Sequence, residues 1–201
     1  MISEARREAP GLLGSNQAKA RYPSGIEGTT RMLFPALGLA QNRTEAMSFM
    51  EELSRRWEIL LVEDNPADIR LTQEALKDLQ LEHRLQVAED GVAALAYLSG
   101  VFFGQSGTRP DIILLDLNLP RMGGLEVLAA IKSSDHMKSI PVIIMSSSAS
   151  AADVTAAYRL NANCYTKKPM EIDRFFDVMQ SIRSFWLETA LLPDIPVERI
   201  H

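Results

Sequence analysis

The sequence has little of three features that would point to particular kinds of protein. Its only cysteine is Cys164, so no disulfide can form within the chain, which favours a reducing compartment. It has no basic excess, and a formal net charge of -5 argues against a nucleic-acid partner, because phosphate backbones attract basic surfaces. It also has no apolar run of the roughly 20 residues that a membrane span requires. These absences predict a cytoplasmic protein without a membrane or nucleic-acid partner.

Residues 1–56 differ in pattern from the rest of the chain. Gly, Pro, Ser and Arg are scattered through them, with no sustained period of 2 or of 3.6 residues. This predicts a largely disordered extension, followed by one domain over 57–188 and a short tail over 189–201. The alternative is that translation starts at Met47 or Met50, so that the upstream residues are not part of the protein.

From Trp57 onward, short apolar runs alternate with segments of helical period. Ile112–Leu115 has no polar side chain, as expected of a strand that is covered on both faces. Asn65-Pro66 combines a helix cap with proline at the first helical position. The alternation predicts an α/β fold with a flavodoxin-like parallel sheet of strand order 2-1-3-4-5 and five helices. The predicted strands cover about 58–62, 83–88, 112–115, 141–145 and 162–166, and the predicted helices about 66–79, 91–98, 124–133, 151–160 and 171–188.

Polar side chains stand where the predicted strands end. Glu63 and Asp64 follow the first strand, Asp116 the third and Ser146 the fourth, and Lys168 comes shortly after the fifth. Ligands of such sheets bind at the carboxyl ends of the strands, so we expect these five residues to meet. Neighbouring carboxylates repel each other, and a divalent cation that prefers oxygen ligands, such as Mg²⁺, would stabilise them.

Each of these residues also has a purely structural explanation. A single aspartate after a strand, such as Asp116, is commonly a helix cap, and Glu63-Asp64 could complement the dipole of the following helix. Ser146 could belong to an ordinary polar loop, and Lys168 could be a solvated charge. Their joint occurrence at the strand ends of one predicted sheet favours a functional site.

Several motifs follow one another over residues 58–188: Glu63-Asp64-Asn65, Leu114 to Pro120, Gly123-Gly124, Ser146 and Lys168-Pro169. Their order and spacing resemble those of bacterial response-regulator receiver domains. The resemblance implies a protein that takes a phosphoryl group from a histidine kinase and catalyses only its own phosphorylation and dephosphorylation.

The resemblance also implies a role for each residue of the acidic cluster. Asp116 matches the phosphoacceptor, and Lys168 matches the lysine that pairs first with the acceptor and then with the phosphoryl group. Asp64 matches a direct Mg²⁺ ligand, while Glu63 acts mainly through water. The main-chain carbonyl of Asn118 matches the position that completes the metal site.

Three further residues match family positions outside the acidic cluster. Ser146 matches the hydroxyl residue that binds a phosphoryl oxygen after activation. Tyr165 matches the aromatic switch residue whose ring turns inward on activation, and Pro169 matches a cis-proline.

Parts of the chain resemble the regulators that partner cyanobacterial and bacterial phytochrome histidine kinases. This implies a phytochrome-type kinase as partner and a homodimer through the last helix and strand. We expect the interface around Phe175, Phe185 and Trp186, since exposed aromatic residues commonly anchor interfaces. The alternative is that these aromatic residues pack against their own domain. The stretches that carry the resemblance are 65–71, 163–165, 175–179, 184–189 and 192–193, together with the extended loop before Pro110.

Two other functions fit part of this pattern. A degenerate receiver would bind partners without phosphate chemistry, but the full set of acids, serine and lysine argues against it. A Mg²⁺-dependent phosphatase with an aspartyl intermediate would place a second acid two residues after Asp116, where this chain has Asn118. Beyond Trp186 we expect no output domain, so the predicted output is a protein contact or a phosphorelay step.

Overall fold

A computed structural model of the protein describes residues 56–104 and 107–193. The predicted N-terminal extension, apart from its last residue, and most of the predicted tail lie outside the described residues. The helices and strands alternate along the chain in the order β1 (Trp57–Val62), α1 (Pro66–Asp78), β2 (His83–Ala88), α2 (Gly91–Phe102), β3 (Ile112–Leu115), α3 (Gly124–Ser133), β4 (Val142–Ser146), α4 (Ala151–Arg159), β5 (Cys164–Lys167) and α5 (Ile172–Ile182), and a π-helical turn (Arg183–Leu187) follows α5.

The five strands form one parallel sheet in the order β2-β1-β3-β4-β5. This order confirms the predicted flavodoxin-like fold. From β1 the chain first adds β2 on one side and then crosses to add β3 on the other, so the strand order reverses between β1 and β3. At this point Val62 of β1 pairs with Leu115 of β3. Glu63 and Asp116 are the next residues along these two strands, so the register itself places them side by side at the carboxyl edge of the sheet.

The core has two parts, one on each face of the sheet. In β1 alternate residues point to opposite faces, so Ile59 lies in one cluster and Leu60 in the other. Helices α2, α3 and α4 cover the face of Leu60, and helices α1 and α5 cover the face of Ile59. All four residues of β3 are buried, as expected of a central strand with helices on both sides. None of the helices over 56–104 and 107–193 is long and apolar enough to cross a membrane.

Helix α2 is longer than predicted. The helical pattern predicted its end at Leu98, whereas the helix continues to Phe102. Gly100 lies inside it, although glycine disfavours a helix interior by about 1 kcal/mol relative to alanine. Val101 and Phe102 are buried in the core, and this burial outweighs the local preference of the glycine.

The last predicted helix, 171–188, is not a continuous α-helix. Helix α5 ends at Ile182, and the π-helical turn continues the chain to Leu187. Ile182 and Leu187 are both buried, although residues five apart do not share a face of an α-helix. The wider π turn brings both onto the core face, because its hydrogen bonds join residues five apart.

Candidate functional site

The start of helix α1 fixes the acidic residues that follow β1. Glu63 is buried, and its main-chain N–H donates to the carbonyl of Ala88 at 3.0 Å. Asn65 caps α1 by accepting the N–H of Ala67 at 2.9 Å, and its own N–H donates to Oε1 of Glu63 at 3.2 Å. Asp64 lies between them and is exposed. One carboxylate is therefore held inside the domain while its neighbour faces the solvent.

Asp116 follows β3 and is buried. Its main-chain N–H donates to the carbonyl of Val62 at 3.0 Å, which extends the β1–β3 pairing by one step. Its Oδ1 accepts the main-chain N–H of Asn118 at 3.2 Å. These bonds orient the Asp116 carboxylate at the edge of the sheet, close to Glu63.

Lys168 joins the carboxylates from the opposite side. Its main-chain N–H donates to the carbonyl of Ser146 at 2.8 Å, which fixes the backbone after β5 against the end of β4. Its Nζ donates to Oδ2 of Asp116 at 2.8 Å, to Oδ2 of Asp68 at 2.9 Å and to Oε2 of Glu63. An ammonium group has three N–H donors, so three carboxylates use its full capacity.

The electrostatics of Glu63 and Lys168 follow from this burial and pairing. Burial raises the pKa of Glu63 above its ordinary value, and the hydrogen bond and charge of Lys168 only partly oppose the rise. Burial acts to lower the pKa of Lys168, but the hydrogen bonds to Asp116, Glu63 and Asp68 outweigh it, and the pKa is raised. Lys168 is therefore a permanent cation, while ionised Glu63 gains from any further positive charge nearby.

The arrangement fits a divalent cation. Glu63, Asp64 and Asp116 each offer a carboxylate oxygen, and these three oxygens lie within 4.8 Å of one another. Carboxylate oxygens are the ligands that Mg²⁺ and Mn²⁺ prefer. Asn118 lies beside the cluster, and its side-chain amide donates to Oγ of Ser147 at 3.4 Å. Its role as a main-chain metal ligand stays a prediction.

The two predicted switch residues meet at the loop after β4. Ser146 is fully buried, and its Oγ accepts the N–H of Ser148 at 3.2 Å. The hydroxyl of Tyr165 donates to the carbonyl of the same Ser148 at 3.0 Å, and its half-buried ring packs against the core. The Ser148 hydroxyl donates to Asp153 of α4 at 2.5 Å. Ser146 and Tyr165 are thus connected through one residue, and their switching roles stay predictions.

Sequence reasoning missed one carboxylate of this cluster. Asp68 lies in the first turn of α1, and its carboxylate accepts a hydrogen bond from Lys168. The available signal was its position three residues after the Asn65 cap, because acidic residues in a first helical turn lie near the strand end that precedes the helix.

The predicted dimer-interface aromatics lie in different environments. Phe175 is buried in the core cluster formed with α1 and β1, so its expected place in a partner surface is wrong. Trp186 is half-buried against the same cluster, and Phe185 is 56% exposed. The Phe185 and Trp186 rings pack edge to face, with centroids 5.1 Å apart. Together with Cys164 and Arg174 they line a pocket of about 520 Å³ between β5 and the end of α5.

Comparison with known proteins identifies the family. Residues 59–180 match the response regulator receiver domain. The chain belongs to this family, and its receiver domain has a phosphoryl-acceptor role in two-component signalling. Receiver domains bind a divalent metal, and the cluster of Glu63, Asp64 and Asp116 can hold one.

Within the family the chain is similar to response regulators that include phytochrome regulators. Response regulator Rcp1 of Synechocystis sp. strain PCC 6803 is 47% identical over 135 residues, which cover 67% of this chain and 92% of Rcp1. The crystal structure of the phosphorylated cyanobacterial phytochrome response regulator RcpA has 45% identity and a TM-score of 0.66, and the match covers 70% of this chain and 100% of RcpA. The Mn²⁺-bound structure of Rcp1 has 46% identity and a TM-score of 0.63, covering 68% and 99% of the two chains.

Proposed function

We propose that Asp116 accepts the phosphoryl group, with Mg²⁺ as the metal, from a phytochrome-type histidine kinase. The observation that carries this proposal is the placement of the buried Asp116 carboxylate, which accepts a hydrogen bond from Lys168 and lies beside Glu63 and Asp64. The similarity to Rcp1 and RcpA supports the kinase type. The protein would act in the cytoplasm, without a nucleic-acid or membrane partner, and pass its signal on by protein contact or phosphorelay.

The proposed reaction is a direct displacement at phosphorus. An oxygen of Asp116 attacks the phosphorus of the phosphohistidine, the P–N bond breaks, and the imidazole leaves with the electron pair and takes up a proton. The product is an acyl phosphate on Asp116. Mg²⁺ held by Glu63, Asp64, Asp116 and the main-chain carbonyl of Asn118 would neutralise charge on the phosphoryl oxygens.

The residues around Asp116 supply alignment and charge rather than further covalent chemistry. Lys168 holds the Asp116 carboxylate and brings a positive charge to the place where the phosphoryl group arrives. The chain therefore needs to catalyse nothing beyond its own phosphorylation and dephosphorylation.

The hydrogen bonds after β4 support a route by which phosphorylation changes the surface. Ser146 accepts the N–H of Ser148, and a phosphoryl group on Asp116 would offer the Ser146 hydroxyl a new acceptor. If Ser146 turns toward it, the Ser148 segment loses a contact, and Tyr165 donates to that same segment. A contact made only in the phosphorylated state biases one conformation over the other.

Replacing Asp116 by asparagine tests the proposed acceptor. With acetyl phosphate and Mg²⁺, intact mass spectrometry should show one added phosphoryl group on the wild type and none on Asp116→Asn, because an amide cannot form the acyl phosphate. Asp173→Asn changes an exposed aspartate at the start of α5 and should label like the wild type. A chelator should abolish labelling.

The result that would contradict the proposal is a wild-type protein that acquires no phosphoryl group from small donors or from a phytochrome-type kinase. That outcome would favour the alternative of a receiver-like scaffold that binds partners without phosphate. Faster labelling by a phytochrome-type kinase than by an unrelated histidine kinase would support the proposed partner.

We also propose that the protein forms a homodimer through the π-helical turn. Phe185 in this turn is largely exposed, and Met170 and Ile172 near the start of α5 are exposed as well. The buried Phe175 would support this surface from within the core. Exposed aromatic side chains beside a pocket are typical of interface anchors.

Truncating Phe185 tests the proposed dimer. Light scattering should give a dimeric mass for the wild type and a mass near that of the monomer for Phe185→Ala, since the exposed ring contributes to the interface but little to the core. Tyr158→Ala removes a comparably exposed ring from α4 and should remain dimeric. A monomeric wild type, or a dimer unaffected by Phe185→Ala, would contradict this assembly.

A further inference from the structure

Lys168 has three carboxylate partners that differ in their access to water. The side chains of Glu63 and Asp116 are 3% and 8% exposed, whereas that of Asp68 is 32% exposed. Asp68 Oδ2 is 2.9 Å from Lys168 Nζ, close to the 2.8 Å of Asp116 Oδ2. The partner that sequence reasoning missed is therefore a full hydrogen-bond partner at the open side of the cluster.

The backbone around Asp68 is held firmly enough to make this contact specific. Asn65 caps α1, and Pro66 occupies a first-turn position of the helix. The carbonyl of Asp68 itself accepts the hydroxyl of Thr72, one turn later, at 2.9 Å. The first turn thus presents the Asp68 carboxylate to Lys168 from a rigid element rather than from a loop.

The saturated ammonium has a consequence for phosphorylation. All three N–H donors of Lys168 are engaged, so an arriving phosphoryl oxygen can gain this cation only if one carboxylate gives it up. Releasing buried Glu63 would leave an uncompensated carboxylate away from water, which is strongly unfavourable. Asp116 exchanges its own hydrogen bond for one from the phosphoryl group only as the acyl phosphate forms. Of the other two partners, Asp68 can turn to solvent, so Lys168 loses it more easily than Glu63 while a donor approaches.

The net charge of the cluster also indicates a role for Asp68 in phosphorylation. Three carboxylates, those of Glu63, Asp68 and Asp116, bind one ammonium group, and the carboxylate of Asp64 lies beside those of Glu63 and Asp116. With a divalent cation bound, the cluster still carries one net negative charge, and a dianionic phosphodonor is repelled by it. Asp68 is the carboxylate that binds neither the proposed metal nor the phosphoryl group.

We propose that Asp68 is a positioning residue that holds Lys168 in the unphosphorylated protein and restrains the entry of anionic phosphodonors. The inference rests on the proposed function of Asp116 as the acceptor. In the resting protein Asp68 shares the lysine with Asp116, and on phosphorylation it returns to water. The same negative charge strengthens the binding of the divalent cation. Asp68 therefore raises the affinity for the metal and slows the reaction with anionic phosphodonors.

The test compares Asp68→Asn with Asp68→Glu and Asp78→Asn. Asp68→Asn removes the charge with little change of shape, and Asp68→Glu keeps it. Asp78→Asn makes the same change at the exposed far end of α1. Circular dichroism confirms that each variant is folded, which is expected because Asp68 and Asp78 lie outside the core clusters.

Two measurements separate a charge effect from general damage. Isothermal titration calorimetry should show Mg²⁺ binding to Asp68→Asn about threefold to tenfold more weakly than to the wild type. At saturating Mg²⁺, its second-order rate constant for labelling by acetyl phosphate, a dianion, should rise by about threefold to tenfold. Labelling by phosphoramidate, a monoanion, should rise less. Asp68→Glu and Asp78→Asn should resemble the wild type in both measurements.

The outcomes distinguish this inference from the proposed function. If Asp68→Asn matches Asp78→Asn in metal affinity and in both labelling rates, the role of Asp68 is wrong. An equal rise for the two donors would also overturn it, because a charge effect depends on the charge of the donor. If the wild type is not labelled at all, the proposed acceptor function fails, while the Mg²⁺ affinities of the same variants still test the charge effect of Asp68.

Discussion

Replacing Gly124 by alanine is expected to lower the free energy of unfolding by about 3 kcal/mol and to disable the acceptor site. An added Cβ would overlap the carbonyl oxygen of Asp116 and lie 2.6 Å from Cα of Leu117. These are backbone atoms, so no side-chain rotation can relieve the overlap. The N–H of Gly124 also donates to the carbonyl of Leu117 at 2.9 Å, which fixes the start of α3 against the residues after β3.

The control for this prediction is the neighbouring glycine. A Cβ on Gly123 would lie 3.6 Å from Oε2 of Glu126 and 3.9 Å from the carbonyl oxygen of Leu117, which are ordinary contacts. The Gly123 backbone, with φ of -68° and ψ of 155°, also suits alanine. Gly123→Ala should therefore destabilise the domain by about 1 kcal/mol or less, as expected at a helix cap.

Urea denaturation and acetyl-phosphate labelling measure the two parts of this prediction. Gly124→Ala should unfold at lower urea concentration and label slowly even where it remains folded, because α3 must move away from the Asp116 backbone. Gly123→Ala should label normally. Equal stability of the two variants would show that the approach of α3 to Asp116 is not as close as the structure has it.

The sequence predicted the sheet and the acidic edge because both depend on local patterns that the tertiary structure reinforces. A strand such as Ile112–Leu115, with only apolar side chains, has few alternatives to a central position covered on both faces. Once the strand order is known, the positions of Glu63 and Asp116 follow from the register of β1 and β3. The family motifs then specify which of the polar residues after the strands to expect together.

The residues that were misplaced depend on contacts that spacing alone does not determine. Asp68 and Lys168 are 100 residues apart in the sequence, and although the place of Asp68 in the first turn of α1 puts it near the strand end, the spacing does not specify that its side chain points to Lys168. The burial of Phe175 was available from the sequence, since Phe175, Met179 and Ile182 follow helical spacing and form a core stripe. The exposure of Phe185 was expected from the sequence and is confirmed, but its position in a π turn was not expected, because the sequence does not mark the turn.

Removing the positive charge of Lys168 from the acidic cluster is expected to have the second large effect on stability. In Mg²⁺-free buffer, Lys168→Met should lower the free energy of unfolding by about 3 kcal/mol, because buried Glu63 and Asp116 lose their compensating charge. Methionine keeps much of the length of the lysine stem, so the loss reports mainly on charge and hydrogen bonds. The neighbouring Lys167 is exposed, and Lys167→Met serves as the matched control with a change within about 0.5 kcal/mol.

Mg²⁺ should restore much of the free energy of unfolding that Lys168→Met loses. It should stabilise Lys167→Met no more than it stabilises the wild type. A ligand that binds only the folded state stabilises it in proportion to its affinity, and a cation binds a carboxylate cluster more tightly when the competing ammonium is gone. Urea denaturation with and without Mg²⁺ would measure this. If Mg²⁺ stabilises Lys168→Met no more than the wild type, Lys168 and the metal do not share the same carboxylates. A larger stabilisation would mean that one set of acids serves both cations, so that the charge of Lys168 and the binding of the metal are coupled.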